Sequence, residues 1–218
     1  MDDCLRIVGY GNPGRQYEQN SHNAGFVVMD DRLLIIGLGN LGRQYEQNRH
    51  NVGFIVAEAF AKAYASSSFK KMMDIVEFTQ VSAHGKKCLI ARPLTFMNLS
   101  GRAVRFLVDF YKIPLDNVVV IHDDIDLPFG RVKIKRSGGN GGHNGLKSID
   151  NLVGNNYWRI RIGVGRPEMK SMVVSHVLGN FSDEEMPTIE KIAMEIADNL
   201  PTLFPADVQT LTEKLNAL

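Results

Sequence analysis

His50 and Asp123 carry the two groups that a general base needs, and Asn40, Asn98 and Asn144 could assist them if one crevice collects all five. A histidine beside a carboxylate suits that task because an imidazole titrates near neutrality and the carboxylate orients the ring and stabilises its charged form. No serine or cysteine occupies a GxSxG nucleophile elbow, so the nucleophile of such a site would be water. Asparagine side chains supply both a donor that steadies a developing oxyanion and an acceptor that positions water or an amide. The same asparagines also serve as turn and cap residues, and His50 as a helix-start residue, so residue type alone leaves both readings open. The run HDDID from His122 to Asp126, taken with His143, invites a hard-cation reading. Nothing supplies six oxygen ligands, so we expect a solvated acidic turn there and no metal.

The elements around these residues give them a common location. Leu33 to Leu38 is an apolar run whose length and branched residues suit a buried parallel strand, and it breaks at Gly39-Asn40. From His50 the pattern turns helical, with Phe54, Ala57, Phe60, Ala61 and Tyr64 at three- and four-residue spacing. Asn40 therefore falls where a strand ends and His50 where a helix begins. After Ala65, SSSFKK reads as a loop, followed by strands over 74–81 and 87–91 joined through His84-Gly85. RPLTFMNLSG places Phe96, Met97 and Asn98 on a loop ahead of a helix over 103–113. Asn117 to Ile121 is a second buried strand, which puts Asp123 at another strand end. Arg131, Lys133 and Lys135 alternate with Val132 and Ile134, the pattern of a strand with one basic face. A glycine-dense stretch, SGGNGGHNGLKS, then starts a helix near Asn144, and 158–164 is a strand with Arg159 and Arg161 on one face. An acidic amphipathic helix over 183–200 and a helical tail from Pro205 complete the chain. The reading is a single α/β domain with a twisted, mixed, mostly parallel sheet flanked by helices. In such sheets the loops leaving the carboxyl ends of the strands form the ligand crevice.

Composition narrows the class. With 218 residues, 44% of them hydrophobic, the chain can bury one substantial core. Cys4 and Cys88 are far apart and form no CxxC, which argues against a disulfide scaffold and a cysteine zinc site and fits a reducing cytoplasm. No stretch approaches the ~18 apolar residues of a membrane span, and the acidic N-terminus has no apolar leader, so we expect a soluble, untargeted protein. The net charge of +1 hides an asymmetry: between Arg131 and Lys170 stand nine Lys/Arg against Asp150 and Glu168. That local excess is a candidate footprint for a polyanion.

An internal repeat opens the chain. Residues 5–28 match residues 33–56 at 17 of 24 positions. Two copies are too few for a stable repeat array, which leaves a terminal duplication or fused extension. Only the second copy continues into a long helix, so we take 33–218 as the domain and 1–32 as an extension that partly duplicates 33–60. Both copies carry GxGxxG after a strand, at Gly9, Gly11 and Gly14 and at Gly37, Gly39 and Gly42. A dinucleotide fold would start its helix at the third glycine and place an acid at the end of the next strand, and neither follows here. A dinucleotide-binding oxidoreductase is therefore the weakest reading, and we expect no cofactor.

GNPGRQYEQN with HNxGF, RPLTFMNLSG, HDDIDLPFG and GGNGGHNGLKS, in that order, resemble bacterial-type peptidyl-tRNA hydrolase over about residues 33–200. The resemblance implies a monomeric, cytoplasmic, metal-free esterase that cleaves peptide from the terminal ribose of tRNA and so recycles tRNA from stalled or aborted translation. It places the catalytic base on His50, its carboxylate partner on Asp123, and discrimination of blocked from free aminoacyl-tRNA on Asn40. Substrate contacts fall on Tyr45, Phe96, Met97, Asn98 and Asn144, and a basic clamp on tRNA phosphate on Lys135 and Arg161, with Lys133 on the same basic strand. Phosphate contacts of that kind bind without reading sequence. This chain departs from the family pattern at Leu41, where the family has proline, and at Ser21, where it has arginine. Asn12 and His22 thus form an alternative pair to Asn40 and His50. A catalytically weak RNA-binding relative is the alternative function.

Overall fold

The computed structural model describes residues 32–218. The first copy of the repeat, with Asn12, His22 and Cys4, lies outside them. Seven strands form one sheet in the order β2-β3-β4-β1-β5-β7-β6. They are β1 (Leu33–Gly37), β2 (Lys70–Met72), β3 (Val76–Ala83), β4 (Lys86–Pro93), β5 (Val118–Asp124), β6 (Val132–Arg136) and β7 (Trp158–Gly163). The four central strands pair in parallel, β4 with β1, β1 with β5 and β5 with β7, while β3 and β6 run against them. The helices are α1 (Val52–Tyr64), α2 (Ser100–Tyr111), α3 (Asn144–Val153), α4 (Val173–Val177), α5 (Met186–Leu203) and α6 (Val208–Asn216).

The apolar runs become the buried centre because both faces of the parallel strands are covered. On one face Ile35, Val119, Ile121, Ile160 and Ile162 pack against Val56 and Phe60 of α1, Ile192 and Ile196 of α5 and Leu211 of α6. On the other, Leu34, Ile36, Val118 and Val120 pack against Val104 and Leu107 of α2 and Leu146 and Ile149 of α3. Successive strand residues therefore serve opposite layers of one sandwich.

Beta1 connects towards β4 on one side, and β5 continues towards β7 on the other. The crevice outside their carboxyl ends is the topological switch point of the sheet. Helix α1 starts directly over it. A Cβ at Gly53 would stand 2.3 Å from the Leu38 nitrogen and 2.4 Å from the Ile121 carbonyl oxygen, so only glycine lets this turn sit on the strand ends. Gly101 plays the same part between α2 and α3, where a Cβ would meet the Ser148 carbonyl oxygen at 2.2 Å.

Two elements depart from the sequence reading. Lys70–Met72 forms an outer strand against Val76–Phe78 where SSSFKK read as a loop. A three-residue strand carrying exposed lysines has no alternation to detect. Val173–Val177 is a short helix that the pattern did not announce. At the opposite edge, Asn216 of α6 accepts from the Val132 N–H at 2.9 Å and donates to its carbonyl at 2.8 Å, closing that part of β6. No helix among the described residues is long and apolar enough to cross a membrane.

Candidate active site

His50 stands in the 3-10 turn Arg49–Asn51 that feeds α1, and the turn is tied down from behind. Asn48 donates to the Asn180 side chain at 2.6 Å, and Arg49 donates to Glu185 at 2.8 Å. From this mount His50 Nδ1 reaches Asp123 Oδ1 at 2.7 Å. A carboxylate only accepts, so Nδ1 carries a hydrogen, and in the neutral ring Nε2 is the nitrogen with the lone pair. The side chain of His50 is 12% exposed and that of Asp123 only 3%, so solvent reaches the ring and not the acid behind it.

A second ring shares the same oxygen. His143 Nε2 lies 3.1 Å from Asp123 Oδ1, while its Nδ1 accepts from the N–H groups of Gly145 and Leu146 at 3.1 and 3.3 Å. His143 is thus the N-cap of α3, and those two donors force its own hydrogen onto Nε2, aimed at the carboxylate. Burial alone would push the Asp123 carboxyl up, but His143 and then His50 outweigh it and hold the group well below the usual carboxylate range. His122 contributes from the backbone side: its Nδ1 donates to the Asp123 carbonyl at 2.7 Å. Burial and then the neighbouring His143 keep this ring well below the ordinary histidine range, so it stays neutral. Asp123 is therefore an ionised, buried acceptor ringed by three histidines.

His50, His143 and Asp123 lie close enough for a metal, their ligand atoms all within 4.8 Å. His143 does not fit such a role, since coordination through Nε2 would move its hydrogen to Nδ1, where two N–H donors already point. The cluster is built as a hydrogen-bonded relay.

A cavity of about 500 Å³ opens beside it, lined by His50, Asp123, Asn144, Lys135 and Arg161. Strands β6 and β7 set its basic wall through Lys135 and Arg161, and on the same face of the sheet Lys133 stands opposite Arg161 and Lys135 opposite Arg159. The two arginines part company there. Arg159 is 2% exposed, binds Asp150 at 2.9 Å and donates to the Gly139 carbonyl at 2.8 Å, so it anchors the glycine-dense loop from beneath. Tyr157 joins the same anchor by donating to Asp150 at 2.7 Å. Arg161 donates through Nε to Asp124 at 2.6 Å on the cavity wall.

The remaining expected residues are spread around this centre. Asn40 lines a separate cavity of about 590 Å³ with Arg43, Phe54, Glu58 and Arg92, rather than the one that holds His50. Its backbone is clasped by Asn51, which accepts from the Asn40 N–H at 2.8 Å and donates to its carbonyl at 2.9 Å. Met97 is buried, and its sulfur lies where a Cβ on Gly145 would come within 2.7 Å, so the turn Met97–Leu99 rests on the start of α3. Asn98 on that turn is exposed, as are Phe96 at 79% and Asn144, Lys133 and Lys135, while Tyr45 is half-buried. Asn98, Tyr45, Phe96, Met97 and Lys133 line neither cavity. His143, Asn51, Asp124 and Asp150 were not expected as parts of the site. HDDID held Asp124, HNxGF held Asn51 and GGNGGHNGLKS held His143, but only a partner distant in sequence gives these residues a task. The glycines at 37, 39 and 42 lead into the 3-10 turn Arg43–Tyr45, and α1 begins only at Val52, which is not the dinucleotide arrangement.

Comparison with known proteins gives a consistent set of matches. The family model described as peptidyl-tRNA hydrolase matches residues 34–218. A peptidyl-tRNA hydrolase of Rickettsia bellii is 47% identical over 211 residues, covering 97% of this chain and 99% of that protein. One from a Wolbachia of Drosophila simulans is 48% identical over 192 residues, covering 87% of this chain and 90% of its own. The crystal structure of peptidyl-tRNA hydrolase from Acinetobacter baumannii superposes with a TM-score of 0.79 at 33% identity, covering 87% of this chain and 96% of that one.

Proposed function

The chain belongs to the peptidyl-tRNA hydrolase family, and from that premise we propose how its residues hydrolyse peptidyl-tRNA to free tRNA and peptide. Nε2 of His50 takes a proton from water while Asp123 holds the ring through Nδ1. The hydroxide so formed attacks the ester carbonyl carbon, and the oxyanion that develops receives a hydrogen bond from an asparagine side chain, for which Asn144 on the same cavity is the nearest at hand, while Asn98 contacts the substrate from outside it. When the carbon–oxygen bond to the ribose breaks, His50 returns the proton to the departing ribose oxygen. Asp123 need not titrate in either step, because its two ring partners stabilise the carboxylate throughout.

Lys135 and Arg161, with Lys133 on the outer strand, meet the phosphates of the tRNA. Asn40 faces the peptide side, with Tyr45, Phe96 and Met97 bordering the substrate's path. Residues 33–218 form the hydrolase domain and 1–32 an extension outside it. The protein acts as a cytoplasmic monomer without a cofactor.

The observation that carries this reading is the 2.7 Å contact between His50 and Asp123, which leaves the other ring nitrogen to a cavity that also holds Lys135 and Arg161. Release of peptide from N-blocked aminoacyl-tRNA tests it. His50→Ala should lower kcat by about 10²- to 10⁴-fold, the usual contribution of a positioned base, with tRNA affinity within about twofold. Full turnover in that variant would remove His50 from the mechanism.

A further inference from the structure

Directly opposite like charges on neighbouring strands repel, and β6 and β7 carry two such pairs, Lys133 with Arg161 and Lys135 with Arg159. Each arginine has its own acid. Asp150 serves Arg159, which is buried and uses its other terminal nitrogen on the Gly139 carbonyl. Asp124 serves Arg161, and the arrangement differs in what it leaves over. Asp124 Oδ1 accepts from the Asp126 N–H at 2.8 Å, so the carboxylate is fixed through one oxygen before it meets arginine with the other. Its Oδ2 takes the Arg161 Nε at 2.6 Å. Among the described residues, neither terminal nitrogen of Arg161 has a hydrogen-bond partner. The fork of the guanidinium is the part that matches two oxygens of a phosphate at once.

We propose that Asp124 is a positioning residue for substrate binding, holding Arg161 by its stem nitrogen so that the paired terminal N–H groups stand ready for a tRNA phosphate. A free arginine side chain loses several rotamers when it binds. One already fixed at Nε loses fewer, and the benefit enters affinity rather than the chemical step. The position in the chain reinforces this: Asp124 follows Asp123 on β5, so consecutive residues of one strand end orient the base and the phosphate donor. The inference rests on Arg161 meeting phosphate.

The two claims separate in a double-mutant cycle of Asp124→Asn and Arg161→Ala on the full-length enzyme, with KM and kcat measured on N-blocked aminoacyl-tRNA and Kd followed against salt. Arg161→Ala should raise KM and flatten the dependence of log K on log salt by about one. Asp124→Asn should raise KM roughly three- to tenfold, the equivalent of one lost hydrogen bond, with kcat within about twofold, although it removes a negative charge from a polyanion site. In the Arg161→Ala background Asp124→Asn should change nothing further, and Asp124→Glu should recover part of the affinity in the parent enzyme. If Asp124→Asn tightens binding and steepens the salt dependence, Asp124 acts only as a repelling charge and the proposal fails. It fails too if the effect persists without Arg161, or if KM rises in Arg161→Ala but not in Asp124→Asn. An unchanged KM in Arg161→Ala would instead overturn the phosphate reading, and the inference with it.

Discussion

At the residue scale, one oxygen of Asp123 holds two histidines, and its ionised state follows from them. Because its folded value lies below the ordinary carboxylate value, the group contributes stability that is fully present above about pH 3.9 and lost as the pH falls towards the folded value. Asp123→Asn should therefore lose less stability than the parent enzyme between about pH 4 and pH 2, as followed by urea unfolding at each pH. Its turnover at neutral pH should fall by about 10²- to 10⁴-fold, because an amide that can donate no longer fixes which nitrogen of His50 carries the hydrogen. His50 and Asp123 were legible in the sequence, since each ends or begins an element whose pattern is strong. His143 was not, because glycine-dense surroundings hide an N-cap whose second nitrogen faces an acid 20 residues away. Arg159 and Arg161 looked alike in an alternating strand. Burial and the reach of Asp150 and Asp124 separate a loop anchor from a cavity wall, and spacing carries neither.

At the element scale, the site depends on how closely α1 settles on the ends of β1 and β5. Gly53→Ala would drive a Cβ into the Leu38 nitrogen and the Ile121 carbonyl, and no flexible side chain is there to give way. We expect a loss of about 1–3 kcal/mol in unfolding free energy, read from the urea midpoint. Since His50 rides on the same turn, kcat should fall as well, by up to about 10²-fold for an ångström of displacement. Strands β1 and β5 at the centre of the sheet were legible because apolar runs buried on both faces leave little choice of element. Beta2 and α4 were not, since elements of 3 and 5 residues span only about one and a half periods of a strand or a helix, too few for a pattern to repeat.

For the whole molecule, the described residues 32–218 include His50, Asp123, the basic strands and residues that line both cavities. A chain beginning at Arg32 should therefore fold cooperatively and release peptide with kcat/KM within about threefold of the full chain, an expectation that loss of activity on trimming would reverse. The charge excess between 131 and 170 was visible in composition, and its assembly into one face needed the antiparallel pairing of β6 with β7.

The same outer strands have a bearing on solubility. A sheet that does not close leaves two rows of backbone groups able to recruit another chain. Among the described residues one edge is the three-residue β2 with exposed Lys70 and Lys71, and the other is β6, which carries Lys133 and Lys135 and is capped at Val132 by Asn216. The β6 lysines proposed to meet RNA would thus double as guards against edge-to-edge aggregation. Replacing Lys133 and Lys135 together with threonine should weaken tRNA binding and, in the absence of any RNA, raise the apparent mass in concentration-dependent light scattering; a mass that stays constant would confine those lysines to the nucleic acid.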